Sequence, residues 1–274
     1  MRLKLMILFL FAVLFASAEN QDPTQSVCVG NIKNYHVDAT VGSTYNWTVT
    51  PSVAGVSVTG TGNSSQVTWG TAGVYTLKVV ETNQAGCVGA EKQVVVTVNA
   101  VPSATITGVQ SLCEDGTETY SASNLTGATY VWTVPAGATL NSGSGTNQIS
   151  VTWGTPGSIS LGLTVTKSGC SASSSLAVTV WEKPTPVVSG LNGLCLNAAE
   201  IYSTTSVSGN TYSWTLPGNA MLVSGQNTAS ITVTWSGIGT GVISVLESNS
   251  HCSNTASLSV TVAGPPTTTP IWHD

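Results

Sequence analysis

Six cysteines are the residues of this chain whose type and spacing point most directly to chemistry. They form three pairs along the sequence: Cys28 and Cys87, Cys113 and Cys170, and Cys195 and Cys252. No CxxC motif and no pair of histidines accompanies them, so their spacing fits no zinc-binding pattern. In an exported chain, such cysteines form disulfides rather than metal thiolates. We therefore expect disulfide chemistry and no metal centre.

The other residues that could carry a reaction form no recognisable constellation. Three histidines are isolated from one another, His36, His251 and His273, and the sequence contains no HExxH, GxSxG, GxGxxG or P-loop motif. One acidic cluster, Glu114, Asp115 and Glu118, is either a solvated turn or a weak calcium site. The sequence thus predicts no catalytic residue, no cofactor and no enzyme activity.

The first eighteen residues are typical of a secretory signal peptide. Arg2 and Lys4 give a positive start, residues 5–15 form an apolar run, and residues 16–18 (Ala-Ser-Ala) provide a cleavage site. The apolar run is too short to span a membrane, and no later run is long enough. We expect an exported chain that is found outside the cell or at its surface.

The charge of the mature chain disfavours nucleic acid as a partner. After residue 18 the sequence contains five lysines, no arginine and twelve acidic residues, which gives a net charge of −7. Nucleic-acid binding requires clustered basic side chains that displace counterions. Protein or glycan at a cell surface is the expected class of partner.

Tryptophans and cysteines recur together in three repeats. The interval from the first cysteine to the first tryptophan is identical in all three. The intervals to the second tryptophan, and from there to the second cysteine, agree to within one position. The tryptophans are Trp47, Trp132 and Trp214, then Trp69, Trp153 and Trp235. A period of roughly 80 residues suits immunoglobulin-like sandwiches.

The residues around the first tryptophan of each repeat predict a strand. In the second repeat, Tyr130, Trp132 and Val134 share one face of such a strand, while Val131 and Thr133 share the other. Large indoles in thin two-layered domains act as core anchors. The six tryptophans are predicted to be these anchors. No window shows helical periodicity, so the mature protein is predicted to be all-β.

The repeats predict domain boundaries. Proline-containing linkers separate the repeats and favour a semi-rigid arrangement. We predict a signal peptide at 1–18, three tandem immunoglobulin-like β-sandwich domains at 19–100, 101–184 and 185–264, and a tail at 265–274.

The cysteine pairing is selected by the repeat alone. Six cysteines allow fifteen connectivities. Because each pair brackets the tryptophans of its own repeat, we predict Cys28–Cys87, Cys113–Cys170 and Cys195–Cys252. Each such bridge would add about 4 kcal/mol in the chain-entropy description.

The combined pattern of Cys, YxWTV, VTWGTxG, GC and a closing VTV strand resembles the PKD-like (Ig-like) repeats of secreted and cell-surface proteins of Bacteroidetes. The resemblance covers residues 25–264, although no Gly-Asp-Gly follows the anchor tryptophan as in the founding PKD pattern. It implies a spacer, an adhesive stalk or an interaction module.

Two features lie outside the repeat pattern. Trp181 points away from its own core by alternation, and it either packs between the second and third domains or binds a ligand. The tail contains Ile271 and Trp272 and is similar to the opening strand of a further repeat. It is either a disordered segment or processing tag, or a strand that adds to the first domain of another molecule.

These observations favour a non-enzymatic secreted or cell-surface protein with an adhesive or structural function, as a stalk or fibre module that could self-associate through its tail. The alternative is a carbohydrate- or protein-binding accessory module. The two differ in whether an exposed aromatic patch exists, for which Trp181 and Trp272 are the candidates.

Overall fold

The structure, a computed structural model, describes residues 23–272 of the chain. The predicted signal peptide and His273 lie outside this range. The regular structure of the described residues consists of 21 β-strands, which confirms the all-β fold class. No helix within residues 23–272 is long and apolar enough to cross a membrane. Two compact units are present: Ser168–Cys170 belongs with the residues up to Pro102, and the remaining residues from Ser103 form the second unit.

The first seven strands form a sandwich of two sheets. They are β1 (Thr24–Cys28), β2 (Asn31–His36), β3 (Thr44–Thr50), β4 (Val56–Thr59), β5 (Ser64–Trp69), β6 (Gly73–Thr82) and β7 (Lys92–Asn99). One sheet has the order β1-β7-β6-β3 and the other the order β2-β5-β4. Side chains from both sheets, including those of Val27, Trp69 and Val96, meet in one buried core.

The second sandwich repeats this arrangement. Its strands are β8 (Ser111–Cys113), β9 (Gly116–Ser121), β10 (Thr129–Thr133), β11 (Ala138–Ser142), β12 (Gln148–Trp153), β13 (Gly157–Lys167) and β14 (Cys170–Trp181). The sheets have the orders β10-β13-β14-β8 and β11-β12-β9. Tyr130 is buried in the core and Trp132 packs against it, whereas Val131 is exposed. The alternation read from the sequence is therefore present in β10.

The third sandwich has the same topology. Its strands are β15 (Gly193–Cys195), β16 (Ala199–Ser203), β17 (Thr211–Thr215), β18 (Ala220–Ser224), β19 (Ser230–Trp235), β20 (Gly239–Ser248) and β21 (Ser253–Ala263). The sheets have the orders β15-β21-β20-β17 and β16-β19-β18. Val260 and Val262 alternate into the core of this sandwich. The three sandwiches form the tandem immunoglobulin-like architecture that the repeat predicts.

The first strand of each sandwich runs parallel to its last strand. This pairing places Cys28 beside Asn99, Cys113 beside Trp181 and Cys195 beside Ala263. In the first repeat, the opening strand is β1, which forms the edge of its sheet beside β7.

The proline-led segments before β8 and β15 bridge to the opposite sheet, through Thr107 with Ser121 and Ser189 with Ser203. The corresponding positions of the first repeat precede residue 23 and lie outside the described range.

Candidate functional site

The structure corrects the predicted cysteine pairing. Disulfides join Cys28 to Cys170, with the Cα atoms 5.7 Å apart, and Cys113 to Cys252, with the Cα atoms 5.8 Å apart. The thiols of Cys87 and Cys195 are free and exposed. The predicted bridges Cys28–Cys87, Cys113–Cys170 and Cys195–Cys252 are therefore wrong. Each disulfide instead joins the first cysteine of one repeat to the second cysteine of the next.

Strand geometry explains why a bridge within one repeat cannot form. In the second repeat, Cys170 is the first residue of β14, and Cys113 lies beside Trp181, the last residue of the same strand. A strand rises about 3.3 Å per residue, so the two cysteines are separated by roughly 35 Å. A disulfide requires Cα atoms less than about 7 Å apart. The two cysteines of the second repeat thus lie at opposite ends of its last strand.

A turn with a positive φ angle holds the first cysteine of each repeat. The residue two positions after the cysteine has φ of 88° at Gly30, 59° at Asp115 and 65° at Asn197. Its N–H donates to the carbonyl oxygen of the second tryptophan of the repeat, at 2.8, 2.6 and 2.8 Å. Glycine, aspartate and asparagine are the residues that tolerate this left-handed conformation. All three first cysteines are consequently presented by the same local structure.

An asparagine holds the turn that carries Cys252. The backbone N–H of Cys252 donates to Asn249 Oδ1 at 2.7 Å, and the N–H of Asn249 donates to the carbonyl oxygen of Cys252 at 2.9 Å. The side-chain amide of Asn249 then donates to the carbonyl oxygen of Glu182 at 3.0 Å. This side chain therefore connects the turn of the third repeat to the end of the second.

Aromatic stacking accompanies the Cys113–Cys252 bridge. The rings of Trp181 and His251 are stacked with centroids 3.6 Å apart, and Trp181 Nε1 donates to Ser111 Oγ at 2.7 Å. Of the two predicted environments of Trp181, the structure shows packing between the second and third repeats.

The acidic cluster contacts the linker between these repeats. Glu114 Oε1 accepts a hydrogen bond from the backbone N–H of Lys183 at 2.9 Å, and Asp115 Oδ2 lies 3.5 Å from Lys183 Nζ. Among the described residues, no group of three or more His, Cys, Asp or Glu side chains could hold a metal ion. The carboxylates of Glu114 and Asp115 thus hold the linker at the point where it leaves β14.

The predicted anchor tryptophans occupy two kinds of position. Trp69, Trp153 and Trp235 are fully buried, and Trp214 is also buried. Trp47 and Trp132 are partly buried and pack against the cores of their sandwiches. The Nε1 groups of the first tryptophans donate to carbonyl oxygens of the same repeat: Trp47 to Gly62, Trp132 to Thr146 and Trp214 to Thr228.

One core tyrosine in each repeat was not predicted from the sequence. Tyr35, Tyr120 and Tyr202 meet the edges of Trp69, Trp153 and Trp235, respectively, with ring centroids 5.8 to 6.3 Å apart. Burial raises the pKa of each of these tyrosines. Each follows the first cysteine of its repeat at the same interval, so the repeat itself carried a signal for them.

The tail and the first repeat contain the remaining candidate surfaces. Ile271 and Trp272 are 96% and 87% exposed, so the described part of the tail contributes nothing to a core. A shallow depression beside β2 and β5 is lined by residues including Asn34, Tyr35 and Gln66. His36 and Ser64, which lie opposite each other on β2 and β5, also line it.

Comparison with known proteins identifies the domain type. The family model described as PKD-like domain matches residues 99–180 and 182–262. No curated protein matches the chain.

Among solved structures, the chain is similar to a glutamate-to-alanine variant of titin domains I67–I69, with 14% identity, coverage of 88% of this chain and 95% of that one, and a TM-score of 0.39. It is also similar to the full Ig1–Ig3 ectodomain of mouse nectin-like molecule 4, with 10% identity, coverage of 90% and 99%, and a TM-score of 0.33. For SGBP-B of the Bacteroides ovatus mixed-linkage glucan utilization locus, in complex with a mixed-linkage heptasaccharide, the identity is 17%, the coverage 88% and 66%, and the TM-score 0.23.

Proposed function

The chain belongs to the PKD-like domain family, whose model matches more than half of it, and on this basis we propose that it is a non-enzymatic structural or adhesive module of the cell exterior. Immunoglobulin-like PKD repeats joined by disulfides are typical of extracellular proteins. Protein or glycan at the cell surface is its proposed partner class. No nucleic acid is proposed, because the mature chain is acidic.

The observation that carries this proposal is the connection of successive repeats by disulfides. Cys28–Cys170 and Cys113–Cys252 span 142 and 139 residues of sequence, respectively, and the two loops that they close overlap. In the chain-entropy description, closing a loop of this length raises the free energy of the unfolded chain by about 5 kcal/mol. More important for a structural function, tension applied to the chain would pass through sulfur–sulfur bonds rather than through sheet hydrogen bonds alone.

The residues available for chemistry support the non-enzymatic part of the proposal. The exposed thiols belong to Cys87 and Cys195, and neither lies in the depression beside β2 and β5. Enzyme sites usually combine a concave pocket with converging polar groups whose pKa values are perturbed. Tyr35 lines the depression, but its hydroxyl group accepts a hydrogen bond from Trp69 Nε1. Its ring packs against a core tryptophan, as do those of Tyr120 and Tyr202, which is a structural use of these groups.

The tail is the part of the molecule that we propose to contact another copy by strand addition. In the second and third repeats, an apolar residue of the proline-led segment enters the core, as the buried Ile106 and Val188 do. Ile271 occupies a similar place after β21 and is exposed. Added strands gain main-chain hydrogen bonds and insert alternate side chains into pockets. Deletion of residues 265–274 would then lower the mass of the particles measured in solution, and an unchanged monomer in both forms would contradict strand addition.

Force spectroscopy tests the structural function. In the oxidised chain, the shortest covalent path from Cys28 to Cys252 crosses both bridges and includes only the chain between Cys113 and Cys170. Full extension of that path gives roughly 200 Å at about 3.5 Å per residue. After reduction, the whole chain between Cys28 and Cys252 can extend, to roughly 800 Å.

The expected result is a gain in extension of about fourfold when reductant is added to chains pulled from both ends. Chains with Cys87 and Cys195 blocked by alkylation serve as the control, because blocking these thiols leaves both bridges in place. Extension to roughly 800 Å without reductant would contradict the proposal. Surface proteolysis of intact cells that make the protein would test its location independently.

The alternative, an accessory binding module, is favoured by one observation, the exposure of Trp272. Exposed aromatic rings can stack on sugars or anchor a protein partner. Trp181 is a weaker candidate, because His251 covers one face of its ring. Glycan-array binding that disappears on Trp272→Ala but persists on Trp181→Ala would favour this alternative.

A further inference from the structure

The bridges follow a rule that leaves two cysteines over. In both disulfides, the first cysteine of one repeat is bonded to the second cysteine of the following repeat. Cys195 is the first cysteine of the third repeat, and Cys87 is the second cysteine of the first repeat; both are free and exposed. The described residues therefore carry the two halves of one further bridge of the same kind, Cys195 in the third repeat and Cys87 in the first.

Cys195 has the same surroundings as the two first cysteines that are bonded. It lies beside Ala263 on the last strand of its sandwich, as Cys28 lies beside Asn99 and Cys113 beside Trp181. The N–H of the following residue donates to the carbonyl oxygen of that strand residue, at 3.0 Å for Leu196 and at 2.9 Å for its two counterparts. In the existing bridges, the partner's Sγ lies 3.8 Å from the oxygen of Asn99 and 3.7 Å from that of Trp181. The oxygen of Ala263 is the matching position for an incoming sulfur.

Cys87 lies on a turn that is one residue longer than that of Cys252 but is closed by the same two kinds of hydrogen bond. Its backbone N–H donates to Asn83 Oδ1 at 2.9 Å, and the N–H of Asn83 donates to the carbonyl oxygen of Cys87 at 3.0 Å. The corresponding asparagine, Asn249, donates through its side-chain amide to Glu182. The residue that corresponds to Glu182 after the third repeat is Gly264.

The segment that follows the third repeat is exposed at a position that is buried after the first and second repeats. A proline lies three residues after the strand position opposite the first cysteine in every repeat, at Pro102, Pro184 and Pro266. The first two prolines are buried and Pro266 is exposed. The carbonyl oxygen of Pro184 accepts a hydrogen bond from the side-chain amide of Asn254 in the next repeat, at 2.9 Å. The end of the third repeat thus offers the apolar and hydrogen-bonding surface on which another repeat is seated elsewhere in the chain.

We propose that Cys195 of one molecule forms a disulfide with Cys87 of a second copy, which joins copies head to tail. A second copy is the partner because each molecule presents both complementary halves and carries the asparagine turn that fits the exposed end. Such a contact uses different surfaces on the two partners, so it repeats into an open chain of molecules rather than a closed dimer. The inference rests on the proposed structural function, for which it specifies the partner.

The bond forms by thiol–disulfide exchange with a small-molecule disulfide, here oxidised glutathione. The thiolate of Cys195 attacks one sulfur of glutathione disulfide, which releases one glutathione thiolate and leaves a mixed disulfide. The thiolate of Cys87 from the second copy then attacks the Cys195 sulfur and releases the other glutathione. The two protein thiols lose two electrons and two protons, and the two glutathione molecules take them up.

Two single variants and their mixture test the proposal. The full chain, Cys87→Ser, Cys195→Ser and an equimolar mixture of the variants are incubated in a glutathione redox buffer that leaves both existing bridges intact. Non-reducing electrophoresis and peptide mass mapping then report the linkages. Because both thiols are exposed, replacing either one leaves the cores unchanged. Disulfide-linked peptides of unaltered mass for Cys28–Cys170 and Cys113–Cys252 verify the fold of each variant.

The expected result is a ladder of multimers for the unsubstituted chain, a single band of doubled mass for the mixture, and loss of both for each variant alone. The linked peptides should contain Cys87 and Cys195. Dimers from a single variant would show symmetric pairing and overturn the proposal. A monomer that has lost both thiols would show an intrachain bridge and also overturn it. A chain that remains monomeric with free thiols but still resists extension when oxidised would refute this inference while leaving the proposed function standing.

Discussion

The hydroxyl group of Tyr202 accepts a hydrogen bond from the indole N–H of Trp235 at 3.2 Å in the core of the third sandwich. Tyr35 accepts the same bond from Trp69 at 3.2 Å in the first sandwich. The rings in both pairs meet edge to face. Aromatic pairs in this geometry gain free energy beyond their buried area, and the hydrogen bond satisfies a buried N–H group. Each of these cores is therefore organised around a tyrosine from one strand and a tryptophan from its neighbour.

Replacing Trp235 by alanine is expected to destabilise the third sandwich strongly. Trp235 has no exposed surface, and removing a buried tryptophan side chain usually costs about 3–5 kcal/mol in the free energy of unfolding. Denaturant titration followed by far-UV circular dichroism measures the change. Trp272→Ala is the matched control, because Trp272 is 87% exposed and its replacement should alter stability by less than about 0.5 kcal/mol. Equal effects of the two substitutions would contradict the role assigned to Trp235.

The core tyrosines predict a loss of stability at alkaline pH. Burial raises the pKa of Tyr35, Tyr120 and Tyr202 above the ordinary value of 10.0. Above about pH 10, the unfolded chain loses these protons before the folded chain does, so the unfolded state binds fewer protons and stability falls with rising pH. The stabilising contribution is complete below about pH 10 and disappears as the pH rises through the raised pKa values of the folded chain.

Urea unfolding between pH 8 and pH 11 measures this dependence, with the thiols of Cys87 and Cys195 alkylated to prevent disulfide exchange. The triple variant with phenylalanine at positions 35, 120 and 202 should lose stability less steeply above pH 10. Below pH 9 it should differ from the unsubstituted chain by a constant amount. A triple variant with an unchanged alkaline slope would show that other groups cause the loss.

The sequence was sufficient to predict the sandwiches but not the bridges between them. Alternation along β10 and the recurring tryptophans predict strands and cores because these features depend on residues close in sequence or on the repeat. The cysteine pairing depends on where β1 and β8 lie along the last strands, and a parallel pairing leaves no local signal. Because the repeats are nearly equal in length, a cysteine has equivalent partners in its own repeat and in the next. The pairing within a repeat and the pairing with the next repeat can be told apart only by the length of a strand such as β14, which keeps the two cysteines of the second repeat far apart.

The environment of Trp181 shows the same limit. Alternation placed this residue outside its own core, and both packing and ligand binding were open from the sequence. Packing is decided by His251, whose ring stacks on the indole of Trp181. His251 is distant in sequence, and only the fold of the third repeat brings its ring to this position.

The substitution Trp181→Ala is expected to expose the Cys113–Cys252 bridge. It removes the stack on His251 and the hydrogen bond to Ser111. The cores of both sandwiches remain intact, because Trp181 belongs to neither. We expect faster reduction of this disulfide by dithiothreitol, with a loss of about 1 kcal/mol from the stacking contact. Alkylation of the released thiols followed by mass spectrometry measures the rate for each bridge separately.

The Cys28–Cys170 bridge is the internal control for this variant, since neither residue contacts Trp181. Its rate of reduction should stay the same. Equal acceleration at both bridges would indicate general loosening of the chain, and no acceleration at either would show that the stacked rings do not shield the Cys113–Cys252 disulfide.

Two glycines of the second repeat allow a matched test of a close backbone contact. Gly143 has φ of 87°, and a Cβ atom added there would lie 2.0 Å from the carbonyl oxygen of Gln148. Gly127 has φ of 75°, but a Cβ atom there would meet nothing within 4 Å. Alanine at either position carries the left-handed backbone cost of about 1–2 kcal/mol. Gly143→Ala must in addition displace the turn between β11 and β12, so its unfolding midpoint should fall clearly below that of Gly127→Ala. Differential scanning calorimetry measures both midpoints, and equal midpoints would show that the β11–β12 turn accommodates a methyl group without displacement.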